Sequence, residues 1–157
     1  MGIEAVRAFF AARASDVVIV EQASSTATVL EAADTLGVTP GQIAKTLSLR
    51  VGEHVVLIVT AGDTRLDNRK VKDMLGGRPR MLSAEEAEQL TGHPVGGVCP
   101  FGLATPLPVY CDLSLRRFDQ VYPAAGARTA SVRLSPDRLA ALVGAEWADL
   151  CSLPGSA

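Results

Sequence analysis

The chain has 157 residues, of which 48% are hydrophobic, 20% charged and only 4% aromatic, and its formal net charge is −2. That size and composition fit one folded domain with an aliphatic core and exclude a disordered chain. The mild acidity excludes a uniformly basic nucleic-acid binder, and no apolar run reaches the ~18–20 residues that a membrane span needs.

In chain order, Ile3 to Ala14 carries Val6, Phe9, Phe10 and Arg13 at helical spacing, and the β-branched run Val17 to Val20 follows as a strand. The opening residues lack the basic-then-apolar order of a signal peptide, so a cytoplasmic location is expected. Thr26 to Leu36 reads as a helix capped by Ser24, Ser25 or Thr26 and stopped by Gly37. Ile43 to Val51 alternates, and Gly52-Glu53 joins it to Val55 to Thr60 as a hairpin. Asp67 to Leu75 is a helix closed by Gly76-Gly77, and Arg80 to Leu82 is a short extended piece. Ser83-Ala84-Glu85-Glu86 is a capping-box start for a helix to about Leu90.

From Gly92 to Pro108 glycine and proline alternate with small residues, and a loop of that length in a compact domain points to function. Val109 to Asp112, Gln120 to Tyr122, Thr129 to Leu134 and Glu146 to Cys151 are expected strands, with a short helix from Ser135-Pro136-Asp137 to Val143. Without repeats or linkers, the series predicts one α+β domain spanning 1–157: a mixed, partly closed, barrel-like sheet with helices packed outside.

Alternation places Lys45 on the same face of its strand as Ile43, Leu47, Leu49 and Val51, and Thr46 and Ser48 on the other. In a chain with twelve arginines and three lysines, an ammonium among inward aliphatics needs a reason, because burying an unpaired charge is costly. Two readings stand. The amine reaches solvent from the strand end, or it projects into a pocket where it can hold a carbonyl or carboxylate. A second feature is the stretch Arg65 to Arg80, locally +4 while the remainder is −6. Its Arg65, Arg69, Lys70 and Lys72 are either a solvated face or a contact for phosphates.

Three cysteines, Cys99, Cys111 and Cys151, form no C-x-x-C pair, so neither a disulfide framework nor a metal site is expected, and the absence of a dinucleotide fingerprint argues against that cofactor class. His54, between a turn glycine and a strand, and His93, before Pro94, show no Ser, Cys or carboxylate partner in a catalytic pattern and are read as surface or structural residues. Cys99 is read as a small apolar wall residue rather than a nucleophile, and Asp112 and Asp119 as strand-end turn residues that could also meet an amino group.

The order of Thr26-Ala27, Leu36-Gly37-Val38, Gln42-Ile43-Ala44-Lys45-Thr46-Leu47, Gly62-Asp63, the Thr91 to Gly102 loop and Ala124-Ala125-Gly126 resembles the YbaK family of aminoacyl-tRNA-synthetase-associated, prolyl-tRNA trans-editing proteins, over roughly residues 20 to 143. The resemblance implies a cofactor-free deacylase that hydrolyses the ester of a mischarged transfer RNA, with prolyl-tRNA synthetase as a candidate partner. It implies that Lys45 lies in the substrate pocket and is needed for deacylation, and that the loop Gly96, Gly97, Val98, Cys99, Pro100, Phe101 and Gly102 holds the terminal adenosine and ester. Thr46, Ser48, Ala125 and Gly126 complete the expected substrate-binding set. Leu103-Ala104-Thr105 and Ala124-Ala125-Gly126-Ala127 depart from the cysteinyl-removing branch, so alanine or another small residue is the expected amino acid. A non-catalytic module that binds transfer RNA or a synthetase is the alternative.

Overall fold

The computed structural model describes residues 2–153. The elements are α1 (Ile3–Arg13), β1 (Val20–Glu21), α2 (Val29–Leu36), β2 (Ile43–Val51), β3 (His54–Ala61), β4 (Arg65–Leu66), α3 (Asn68–Leu75), β5 (Pro79–Met81), α4 (Ala84–Thr91), β6 (Val109–Asp112), β7 (Tyr122–Pro123), β8 (Ala130–Ser131), α5 (Pro136–Val143), β9 (Glu146–Ala148) and β10 (Cys151–Ser152). The main sheet is mixed and six-stranded, in the order β5-β2-β3-β6-β9, with β7 added in parallel to β2. Two short ribbons, β1–β8 and β4–β10, complete the strands.

The expected α+β domain is present, but the sheet is open: its path ends at β5 and β9, which do not pair with each other. Helices cover both faces instead. On one face Ala44, Leu57, Val59 and Cys111 pack with Val6 and Phe10 of α1 and Leu139 of α5. On the other, Leu49, Val51, Val56 and Ile58 pack with Val71 of α3 and Leu150. Ala32 and Ala33 of α2 cover Ile43 in a third, smaller cluster. Both faces of β3 are therefore buried, which is why it reads as a continuous apolar run rather than an alternating one.

Local chemistry sets several boundaries. Gly52, at φ 60°, makes the two-residue turn between β2 and β3. Thr28, not Ser24 to Thr26, caps α2 by accepting from Glu31 N, so that helix begins later than its sequence predicts. Asp67 caps α3, and Ser83 with Glu86 forms the expected capping box on α4. Four helices end on a left-handed glycine: Gly37, Gly76, Gly92 and Gly144.

Three strand expectations change. Val17 to Val20 is not a strand along its length: only Val20–Glu21 pairs, with β8, and Val18 is 69% exposed because no layer covers it. Thr129 to Leu134 contracts to Ala130–Ser131, and Gln120 to Tyr122 shifts to Tyr122–Pro123, with Val121 bridging Leu134 alone. Glu146 to Cys151 divides between two sheets, β9 joining β6 and β10 joining β4. Asp112 stabilises that division, since its buried carboxylate accepts from Leu150 N at 2.7 Å and from Ser114 N at 3.0 Å. Asp112→Ala leaves two buried amides without partners and should cost about 2–3 kcal/mol. Urea denaturation measures this loss, and an unchanged midpoint would show that the carboxylate does not support the break.

Candidate active site

Strand β2 pairs with β3 over eight of its nine residues, from Ala44 opposite Ala61 to Val51 opposite His54. Its other edge is shared: β7 pairs only at Ile43 and Ala44, and β5 only at Leu49 to Val51. Between them no strand among the described residues pairs with Lys45, Thr46 or Leu47 on that side. Ser48 is anchored there by its carbonyl, which accepts from Leu82 N at 3.0 Å.

Alternation fixes which peptide groups face the gap. Leu57 N donates to Pro108 O beside β6, so odd-numbered residues of β3 turn their peptide groups to β6 and even-numbered ones to β2. Lys45 and Leu47, opposite Thr60 and Ile58, spend their peptide groups on β3. The N–H and C=O of Thr46 point the other way, into the gap.

A cavity of about 360 Å³ opens at this gap, a volume within the ordinary range for small-molecule sites. Ala44 to Thr46 and Ser48 form its base, Val29, Ala32 and Leu36 of α2 one wall, and Gly96 and Val98 another. Because the strand edge is open, residues from both faces of β2 reach the same cavity. Lys45 stands on the α2 side and Thr46 and Ser48 on the loop side.

Lys45 is half-buried and does not extend freely into solvent. Its Nζ donates to Thr64 O at 3.0 Å, and two of its three N–H bonds remain for another acceptor. The Thr46 Oγ1 is enclosed and has no hydrogen-bond partner. Gly96 is held at φ 87°, and a Cβ there would stand 2.8 Å from that of Ala27, so only glycine lets the two walls approach.

The rest of the predicted loop has another task. Cys99 and Phe101 are fully buried, Phe101 against the rings of Phe9 and Phe10 and Cys99 in the same core cluster. Pro100 and Gly102 lie against α1 rather than in the cavity, a Cβ on Gly102 falling 2.6 Å from Ala5 O. Gly97 packs on the Gly126-Ala127 backbone, its carbonyl accepting from Gly126 N at 3.0 Å. Ala125 is buried in the core, and a Cβ on Gly126 would meet Gly2 C at 2.6 Å. Of the expected substrate set, Thr46, Ser48, Gly96 and Val98 line the cavity with Lys45, while Gly97, Cys99, Pro100, Phe101, Gly102, Ala125 and Gly126 do not.

His93 anchors the loop. It is fully buried, its ring Nε2 lies 2.7 Å from Phe101 O and 3.5 Å from Cys99 Sγ, and Nδ1 has no partner. With Nε2 donating to Phe101 O, a protonated ring would bury an Nδ1–H with no acceptor, and burial holds its pKa below the usual 6.5, so the ring is neutral. Burial also pushes the Cys99 thiol up to about 12, so it is no thiolate nucleophile at neutral pH. His54 and Asp119 are exposed.

Sequence reasoning missed cavity residues from separated segments: Thr26, Ala27, Met81, Leu82, Tyr122 and Ser131. Only their convergence in space identifies them. The basic stretch also divides. Lys70 is engaged by Asp149 Oδ1 at 2.9 Å and Cys151 O at 2.8 Å, and Arg69 and Lys72 are exposed on α3. Arg65 is exposed on β4, whereas Arg78 and Arg80 lie with β5 beside the cavity. None of the described residues forms a metal-ligating cluster, and no described helix is long and apolar enough to cross a membrane.

Residues 23–142 match the family described as the aminoacyl-tRNA editing domain. The protein YwhH of Bacillus subtilis (strain 168), itself uncharacterised, is 44% identical over 96% of this chain and 98% of its own length. A proline–tRNA ligase of Bacillus licheniformis is 32% identical over 66% of this chain, but the match spans only 18% of the ligase. The crystal structure of a candidate trans-editing enzyme for prolyl tRNA synthetase superposes with a TM-score of 0.89 at 37% identity, covering 96% of both chains.

The neutral state of His93 has a measurable consequence. An unfolded histidine takes up a proton near its ordinary pKa while the buried one resists, so stability should fall as pH drops below about 6.5 toward the lowered folded value. Urea midpoints between pH 7.5 and 5 should decline in the parent protein and flatten in His93→Gln. Equal slopes would show that His93 titrates alike in both states.

Proposed function

Because the chain belongs to the aminoacyl-tRNA editing domain family, we propose that it is a trans-editing hydrolase that deacylates mischarged prolyl-tRNA bearing alanine or another small non-cognate amino acid. The carrying observation is that Lys45, its ammonium held by Thr64 O, lines the same cavity as Gly96 on the stretch of β2 whose edge is unpaired. An aminoacyl ester is already activated, so its hydrolysis needs a positioned water, donors for the developing oxyanion and exclusion of the cognate amino acid. In this reading Lys45, fixed by Thr64 O, gives its free N–H bonds to the ester carbonyl. The Thr46 N–H, aimed into the same gap, is the second donor.

Water adds to the carbonyl carbon and the bond to the ribose oxygen breaks. That oxygen takes a proton to become the terminal hydroxyl, and the amino acid leaves as a carboxylate. The ribose hydroxyl beside the ester is placed to relay protons, so no triad is needed.

Selection works by size. One methylene is worth only about 1–3 kcal/mol of discrimination, so the walls must reject the cognate ring rather than grip the small residue. Ala27, Ala32, Ala84 and Ala87 line the cavity with short side chains, and Val29, Leu36 and Ile43 narrow it.

Lys45→Ala should fold as the parent does and lose deacylation of proline-specific transfer RNA mischarged with alanine by roughly 100-fold or more in kcat, the scale of removing one oxyanion donor. Single-turnover release of labelled amino acid measures this loss, with circular dichroism as the folding control. Full activity in the variant would reject the assignment of Lys45. Release of no small amino acid by the parent protein would favour a binding module.

A further inference from the structure

The cavity floor continues along β2. Thr46, Ser48 and Arg50 lie in one row on one face, and two residues of strand advance about 7 Å, so Arg50 stands one short step beyond the cavity. Directly opposite Arg50 on β5 is Arg80. Arg78 lies two residues further along, and Met81 and Leu82, which follow Arg80, line the cavity itself.

Arg50, Arg78 and Arg80, with Asn68, Gly52 and Pro79, line a second cleft of about 720 Å³. Like charges directly opposite each other across a strand pair destabilise it. Charged residues on β5 could serve only to block pairing at the sheet edge. That purpose explains Arg78 and Arg80 but not Arg50, which sits on the interior strand and faces Arg80. One acid answers the three cations: Glu86 Oε2 holds Arg50 Nη2 at 3.1 Å, and both side chains are partly exposed. Arg78 and Arg80 take part in no ion pair among the described residues, whereas Lys70 of the α3 cluster is already engaged.

Resting on the reading of the cavity as an aminoacyl-ester site, we propose that Arg50, Arg78 and Arg80 bind the phosphates of the transfer RNA strand leading to that ester. The α3 residues Arg69 and Lys72, and Arg65 on β4, stand outside this track. The ligand chemistry is a polynucleotide backbone whose 3′ end enters the cavity, and the arginines contribute affinity without sequence choice.

The test uses an uncharged acceptor-stem minihelix ending in CCA, its Kd followed by fluorescence anisotropy across a potassium chloride series. Arg78→Glu/Arg80→Glu should weaken binding about tenfold or more and reduce the slope of log Kd against log salt by about two, roughly 0.9 for each lost phosphate contact. The neutral pair Arg78→Gln/Arg80→Gln should shift in the same direction, and Arg69→Glu/Lys72→Glu should stay within twofold of the parent. Hydrolysis of aminoacyl-adenosine, which lacks those phosphates, should not change in the arginine variants. A Kd within twofold of the parent for Arg78→Glu/Arg80→Glu, or equal weakening by the α3 pair, would overturn the proposal. Failure of the parent to hydrolyse aminoacyl-adenosine would count against the deacylase reading alone, because the minihelix Kd judges the arginines without catalysis.

Discussion

The site depends on an interruption in backbone pairing. Strand β2 is flanked on one edge by two short strands that do not meet, β7 at one end and β5 at the other. A sheet interior normally consumes every N–H and C=O, and an unpaired edge within a fold costs free energy unless water or a ligand satisfies it. Here the gap coincides with a cavity, so the unspent groups of Thr46 face a space where a polar ligand can use them. The same gap lets an odd-numbered residue, Lys45, and even-numbered residues, Thr46 and Ser48, serve one cavity from opposite faces of their strand.

The surrounding structure holds that gap open. Leu82 fixes the start of β5's continuation through Ser48 O, and beyond β7 the Gly126 N–H, which a longer parallel ladder would offer to Thr46 O, is spent on Gly97 O. The loop opposite is divided between display and anchorage. Gly96 and Val98 face the cavity, and the chain turns at once so that Cys99 and Phe101 enter the core beside His93. Close backbone approaches at Gly97, Gly102 and Gly126 tie the loop to α1 and to the 124–127 turn. Clustered glycines thus mark tight packing as much as ligand contact.

Much of this was legible in the residues. Period-two alternation located β2 and its hairpin, Ser83 with Glu86 located α4, and Lys45 stood out as an ammonium on an aliphatic face. What could not be read depended on neighbours distant in sequence. The run Val17 to Val20 has strong β propensity and packs Val17 and Ile19 against the core, yet only Val20 and Glu21 meet a partner strand, so it gives only a two-residue ribbon. Glu146 to Cys151 breaks because a carboxylate 38 residues earlier in the chain takes the Leu150 amide. Cys99 to Gly102 read as ligand-binding because loop composition does not reveal which side of a loop faces the core. The basic stretch read as one patch, but α3 and β5 place its cations in separate surroundings.

Backbone amide hydrogen exchange at β2 tests the open edge most directly, without substrate or catalysis. The Lys45 and Leu47 amides, bonded to β3, should be protected close to the global limit, while the Thr46 amide between them should exchange faster by orders of magnitude. Equal protection of all three amides would mean that the edge is paired and that no backbone donor faces the cavity, contradicting the account of the site.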